Sequence, residues 1–237
     1  MSRIPFFFAA AAACFLAAAT PARAQTEASE PEAAAPEHGT PPARTGFQLA
    51  LRSGYMVPFG QASGASGDAM SNTFSGQVPL LVDIGGKPWP NVFLGGYVGL
   101  GFGGTAGETS NVCSRDNVTC VTASLRLGIE AQYQFTPDAS TNPWIGYGIG
   151  IESTAFSGSN GNATYSVGAT GWEFGHFMGG LDFRLSRTIG IGPMVDFSLA
   201  EYSSINVNEN GQTSNGTLAN KALHEWLLVG VRLVIFP

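Results

Sequence analysis

Residues 121–135 read Val-Thr-Ala-Ser-Leu-Arg-Leu-Gly-Ile-Glu-Ala-Gln-Tyr-Gln-Phe. Val121, Ala123, Leu125, Leu127, Ile129, Ala131, Tyr133 and Phe135 alternate with Thr122, Ser124, Arg126, Gly128, Glu130, Gln132 and Gln134. A helix advancing 3.6 residues per turn cannot segregate such a series, whereas a pleated strand places every second side chain on one face. The segment therefore predicts a long two-faced strand.

The same period recurs on either side. It appears in Phe47, Leu49, Leu51; in Val78, Leu80, Val82, Ile84; and in Val92, Leu94, Val98, Leu100, Phe102. It returns in Ile145, Tyr147, Ile149, Ile151 and in Phe177, Leu181, Phe183, Leu185. Ile189, Ile191, Val195, Phe197, Leu199 and Leu227, Val229, Val231, Leu233, Ile235 complete a set of eight predicted strands. Trp172 and Phe174 fall out of phase with Phe177, which predicts a bulge in the sixth strand. Short connections at 86–90, 136–142 and 186–187 alternate with long polar ones at 58–75, 103–119, 154–166 and 201–222. That alternation places all long loops at one end of an antiparallel up-and-down sheet.

Composition decides which face looks outward. Charged residues are 12% of the chain, about half the ~25% of an ordinary soluble domain. Glycine is 32 of 237 residues, near twice its usual ~7%. The formal charge of −6 excludes a nucleic-acid binder, which needs a basic stripe, and 44% hydrophobic residues are enough to bury a core. An eight-stranded barrel has room inside only for closely packed side chains. Eight faces of Leu, Ile, Val and aromatic residues would overfill it, whereas Gly95, Gly99, Gly101, Gly146, Gly148, Gly150, Gly190 and Gly192 on the alternate faces would fit. The apolar face is thus expected to meet lipid. Phe47, Trp89, Phe93, Tyr133, Phe135, Trp144, Phe183 and Phe236 near the short turns, with Tyr55, Phe102, Phe197, Tyr202 and Trp226 near the long loops, read as two interfacial girdles.

Residues 45–237 on these grounds resemble the small eight-stranded outer-membrane barrels, the OmpA membrane domain and OmpX type. The resemblance implies a Gram-negative outer membrane, three short periplasmic turns and four long extracellular loops. It also implies contact with outer-membrane lipids and with the assembly machinery, whose terminal signal the ending Leu-Val-Ile-Phe-Pro resembles.

Upstream, residues 1–24 read as a cleaved secretory signal: Arg3, an apolar core from Phe6 to Ala19, and Ala22-Arg23-Ala24 before Gln25. Residues 25–44, with four glutamates, four prolines and no periodicity, read as a disordered acidic tether. Removing the leader leaves nine basic against seventeen acidic residues, a balance of −8. It also leaves Cys113 and Cys120 as the sole cysteines, which in an exported chain predicts one local disulfide.

Arg52, Asp83, Arg126, Glu130, Glu152, Asp182, Arg184, Asp196 and Arg232 occupy expected inward positions. They suit a salt-bridge network plugging the lumen, in which Asp196, Arg232, Arg52 and Asp83 align across neighbouring strands; a constricted ion path is the functional alternative. Enzymatic readings are weaker. Lipid A deacylases of the outer membrane use a His-x-Ser pair, but here Met178 follows His176 at the nucleophile position, and a thioether cannot accept an acyl group. His176 is then an inward polar residue, and His224-Glu225 at the long-loop rim is expected to be solvated. The Gly-rich runs at 99–103 and 146–150 precede no helix and lack a phosphate-binding mechanism.

The expectation is a monomeric, non-enzymatic barrel without cofactor or metal. It would display its loops for envelope integrity or contact with a surface ligand. A narrow passive channel ranks second and a lipid-modifying enzyme third.

Overall fold

The computed structural model describes residues 45–115, 118–159 and 164–236. The proposed leader at 1–24 and tether at 25–44 lie outside the described residues. Among the described residues nine strands form: β1 (Gly46–Gly60), β2 (Phe74–Trp89), β3 (Val92–Thr105), β4 (Thr119–Gln134), β5 (Thr141–Ser159), β6 (Thr164–Arg184), β7 (Ile189–Glu209), β8 (Gln212–Thr217) and β9 (Leu223–Ile235). Among the described residues one α-helix, α1 (Gly107–Arg115), lies between β3 and β4, which corrects the expectation that no helix follows the Gly-rich run at 99–103.

Eight of the strands close a ring. Consecutive antiparallel pairings run from β1 to β7, and β9 then pairs with both β7 and β1. The closing ladder runs from Leu49 opposite Ile235 to Gly60 opposite His224. Closure leaves these eight strands without a free edge, so their backbone donors and acceptors are satisfied within the ring, as a lipid environment demands.

The ninth strand is a correction to the expected eight. Its polar, fully exposed sequence carries no hydrophobic alternation, so hydrophobic periodicity could not reveal it. Asn210 (φ 49°) and Gly211 (φ 87°) supply the two positive φ values that a tight hairpin turn requires. They fold β8 back along β7 from Glu209 opposite Gln212 to Ser204 opposite Thr217.

Two further loop boundaries are corrected. The 154–166 connection is largely paired strand, with Ser159 opposite Thr164, and β7 climbs well beyond residue 201. Backbone hydrogen bonds extend these ladders past the apolar belt even where the side chains are Ser, Thr and Asn. The bulge expected in the sixth strand is present: the β6–β7 register shifts between Thr170 and Gly171 and again between Glu173 and Gly175.

Leu80, Leu100, Leu125, Leu127, Ile129, Ile151 and Val229 are exposed on the outside. The outer wall is thus a continuous hydrocarbon belt and the packed interior lies in the lumen. Five of the expected girdle aromatics are corrected: Phe93, Trp144, Tyr202, Trp226 and Phe236 are buried inside. Each shares the inward parity of its strand, and their volume fills space that glycine leaves free. Phe47, Trp89, Phe135, Tyr55 and Phe102 do point outward.

Candidate functional site

The lumen is filled by charge, layer upon layer. At mid-height Arg52 of β1 is fully buried. Its Nε and Nη2 donate to Asp83 Oδ1 at 3.0 and 2.7 Å, and its Nη1 donates to Asp196 Oδ2 at 2.8 Å. Glu130 Oε2 lies 3.4 Å from Nη2. The same Asp196 oxygen is 2.6 Å from His176 Nε2, and the His176 ring meets Tyr97 edge-on at 4.6 Å. Tyr97 Oη donates to Glu173 Oε2 at 2.5 Å. One guanidinium thus gathers carboxylates from β2, β4 and β7 across the whole bore, which is geometry that a planar fork of five donors can satisfy.

Toward the long loops, Arg126 lies between Glu152 (3.2 Å) and Glu173 (3.4 Å). Glu152 Oε1 accepts from Tyr202 Oη and Trp226 Nε1, both at 2.8 Å, and faces His224 Nε2 at 3.3 Å. His224 is fully buried and stacks on Tyr202 with ring centroids 3.9 Å apart. The expectation that His224 is solvated is therefore corrected. It shares the inward parity of Trp226 and Arg232 on β9, and the Tyr202 face covers it.

Toward the short turns, Arg232 Nη1 donates to Asp182 Oδ2 at 3.0 Å and Nη2 to Gln132 Oε1 at 2.7 Å, while its Cζ sits 4.1 Å over the Trp144 ring. Gln132 Nε2 donates to Glu130 Oε1 at 2.8 Å, joining this layer to that of Arg52. Arg184 stands apart from the network to which sequence parity assigned it. As the last residue of β6 it reaches the rim, donates to the Pro137 carbonyl and lies 4.5 Å over Phe236. Lys87 closes the base by donating to Gln134 Oε1 at 2.7 Å.

Glu173, Tyr97 and Lys87 belong to this arrangement and were not singled out from sequence. Lys87 was placed in a turn that proves to be strand, and Glu173 sits inside the bulged part of β6, where parity could not be followed. Tyr97 interrupts a glycine-rich face. Its parity opposite Val98 was the available signal.

Six carboxylates (Asp83, Glu130, Glu152, Glu173, Asp182, Asp196) thus share the described lumen with three fully enclosed guanidiniums and two imidazoles. Such groups are tolerable together only because each is paired or hydrogen-bonded. Both His176 nitrogens face acids, Asp196 at 2.6 Å and Glu173 at 3.8 Å. Ser198, opposite His176 in register, has an Oγ without a hydrogen-bond partner among the described residues. At the outer end, Cys113 of α1 and Cys120 of β4 are joined by a disulfide with Cα atoms 6.0 Å apart.

Among solved structures, the ring of strands matches a major outer membrane protein from Thermus thermophilus with a TM-score of 0.52, at 10% identity over 81% of this chain and 99% of that one. The fold is that of a small outer-membrane β-barrel. Neisserial surface protein A matches with a TM-score of 0.43, at 11% identity over 81% of this chain and 99% of that one. The outer membrane protease OmpT from Escherichia coli matches with 0.42, at 8% identity over 80% of this chain and 96% of that one. No family model and no curated protein matches the sequence. In this chain charged and aromatic side chains fill the described lumen.

Proposed function

We propose that this chain is a non-conducting, non-enzymatic barrel of the Gram-negative outer membrane. It holds its long hairpins outside the cell for surface contact or envelope integrity and turns its short connections to the periplasm. The observation that carries the reading is Arg52, wholly enclosed and bonded to Asp83 and Asp196 across the bore. An ion would have to break those contacts and leave several charges uncompensated in a narrow space. The hydrocarbon belt supports the membrane location, and His176, enclosed between acids, supports the absence of acyl-transfer chemistry.

Planar-bilayer recording of the purified full chain tests this. Wild type is expected to be silent, and Arg52→Ala, which removes the central plug, is expected to produce new conductance steps. Large, reproducible steps from wild type would overturn the closed-lumen reading and establish a channel.

A further inference from the structure

Above the charged layers the interior changes character. The bulge at Ser203, where Thr170 pairs with Ser204 but Gly171 pairs with Tyr202, resets the parity of β7. Bulges re-aim side chains, and this one turns Ile205 inward although its odd number would otherwise send it out with Phe197 and Leu199. Ile205 thereby joins Phe74, Phe156, Val167, Ala169 and Leu218 around a cavity of about 280 Å³ at the barrel mouth. Tyr202 and Thr154 line its lower side, and their hydroxyls are already bonded to each other at 2.9 Å, with Tyr202 also donating to Glu152. Thr109 of α1 contributes to the lining, and α1 is tied to β4 by the disulfide.

We infer that this cavity binds a small uncharged aromatic molecule of one or two rings. Three features select that class. An apolar protein cavity of about 150 Å³ accommodates one benzene, so this volume holds a larger ring system. The lining offers two phenyl rings and one phenol, which favour edge and offset contact with another π-system. Asp68, engaged by the Ser63 hydroxyl, is the one charged residue among the described residues of the lining and repels anions. The inference is independent of whether the lumen below conducts.

The test is methyl NMR of the full chain in lipid nanodiscs, with naphthalene as probe and 1-naphthoate as its anionic counterpart. Leu127, exposed on the outer belt, reports partition into lipid. Naphthalene is expected to produce saturating shifts at Val167, Ile205 and Leu218 and a non-saturating drift at Leu127. 1-Naphthoate is expected to bind about tenfold or more weakly. Filling the cavity through Ala169→Phe or, independently, Leu218→Phe should weaken naphthalene binding by about tenfold or more, with heat-shifted gel mobility confirming that each variant is folded. The inference is overturned by shifts confined to Leu127, by equal binding of the anion, by undiminished saturation in the folded variants, or by lipid-chain contacts to Ile205 before probe is added.

Discussion

Arg52 and Arg232 stand directly opposite each other on β1 and β9, yet their guanidiniums diverge, Arg52 to Asp83 at 2.7 Å and Arg232 to Asp182 at 3.0 Å. Two like charges in register would repel. The sheet resolves the conflict by sending one up to the acids of β2 and β7 and the other down to β6, with Gln132 and Glu130 bridging the two layers.

Removing either arginine strands its carboxylates in the packed lumen. Arg52→Ala and Arg232→Ala are each expected to lower stability by about 3 to 5 kcal/mol, the cost of breaking a buried pair from one side. Urea unfolding from lipid vesicles measures this. A loss below about 1 kcal/mol, as for an exposed ion pair, would show that water reaches these charges.

Depth within the bilayer gives a second measurement. Leu127, 58% exposed at the middle of β4, faces the belt, whereas Leu185, 67% exposed, lies beside a short turn. Leu127→Arg should cost about 2 to 4 kcal/mol and Leu185→Arg about 0 to 1, following the gradient from midplane to interface. Equal costs in vesicle folding would contradict the placement of the belt. Gln132→Arg, on the lumen side, is not a neutral comparison, because it would set a second cation against Arg232.

Tyr97 depends on glycine. A Cβ at Gly150 would lie 2.5 Å from its hydroxyl, and one at Gly128 would collide with the same ring. Gly128→Ala should therefore destabilise by about 1 to 3 kcal/mol through overpacking. Gly216→Ala, whose added Cβ would meet only Ile205 at 3.4 Å, should stay within about 0.5 kcal/mol of wild type. Thermal or urea unfolding of both variants distinguishes the two.

How much of this was legible follows from parity. The alternation in 121–135 and its seven counterparts predicted the ring, because a pleat admits only two faces and one of them had to meet lipid. The out-of-phase Trp172 and Phe174 predicted the bulge. Parity also held the answer for Trp226 and His224. Leu227, Val229 and Val231 look outward, so their even-numbered neighbours must look in, and this parity overrides the preference of tryptophan for a membrane girdle. Two things lay beyond alternation. Polar strands above the belt have no apolar face to betray them, although Asn210-Gly211 marked one hairpin. The partner of each lumen charge depends on side-chain reach across the bore, so Arg232 pairs with Asp182 instead of the Asp196 that strand adjacency favoured.

The disulfide ties α1 to the outer end of β4. Mass spectrometry of unreduced protein should show a loss of about two hydrogens relative to the reduced form. Cys113→Ser is expected to leave heat-modifiable gel mobility unchanged while speeding proteolysis near α1. Loss of the folded band would show that the bond supports the ring itself.

Glu152 carries the last prediction, because one of its oxygens serves three rings. Tyr202 and Trp226 donate to Oε1 at 2.8 Å, His224 lies 3.3 Å away, and Arg126 holds the other oxygen at 3.2 Å. Tyr202→Phe removes one donor and leaves the Thr154 hydroxyl without its acceptor, which should cost about 1 to 3 kcal/mol. Glu152→Ala should cost more, about 3 to 5 kcal/mol, since Arg126 then keeps only Glu173 at 3.4 Å. If the hydroxyl acts through the carboxylate, the double variant should be less destabilised than the sum of the two single variants. The shortfall should be about 0.5 to 3 kcal/mol, the range for residues in one hydrogen-bonded network. Strict additivity in urea unfolding would mean that Tyr202 contributes through Thr154 and its packing on His224, and the convergence on Glu152 would lose its energetic meaning.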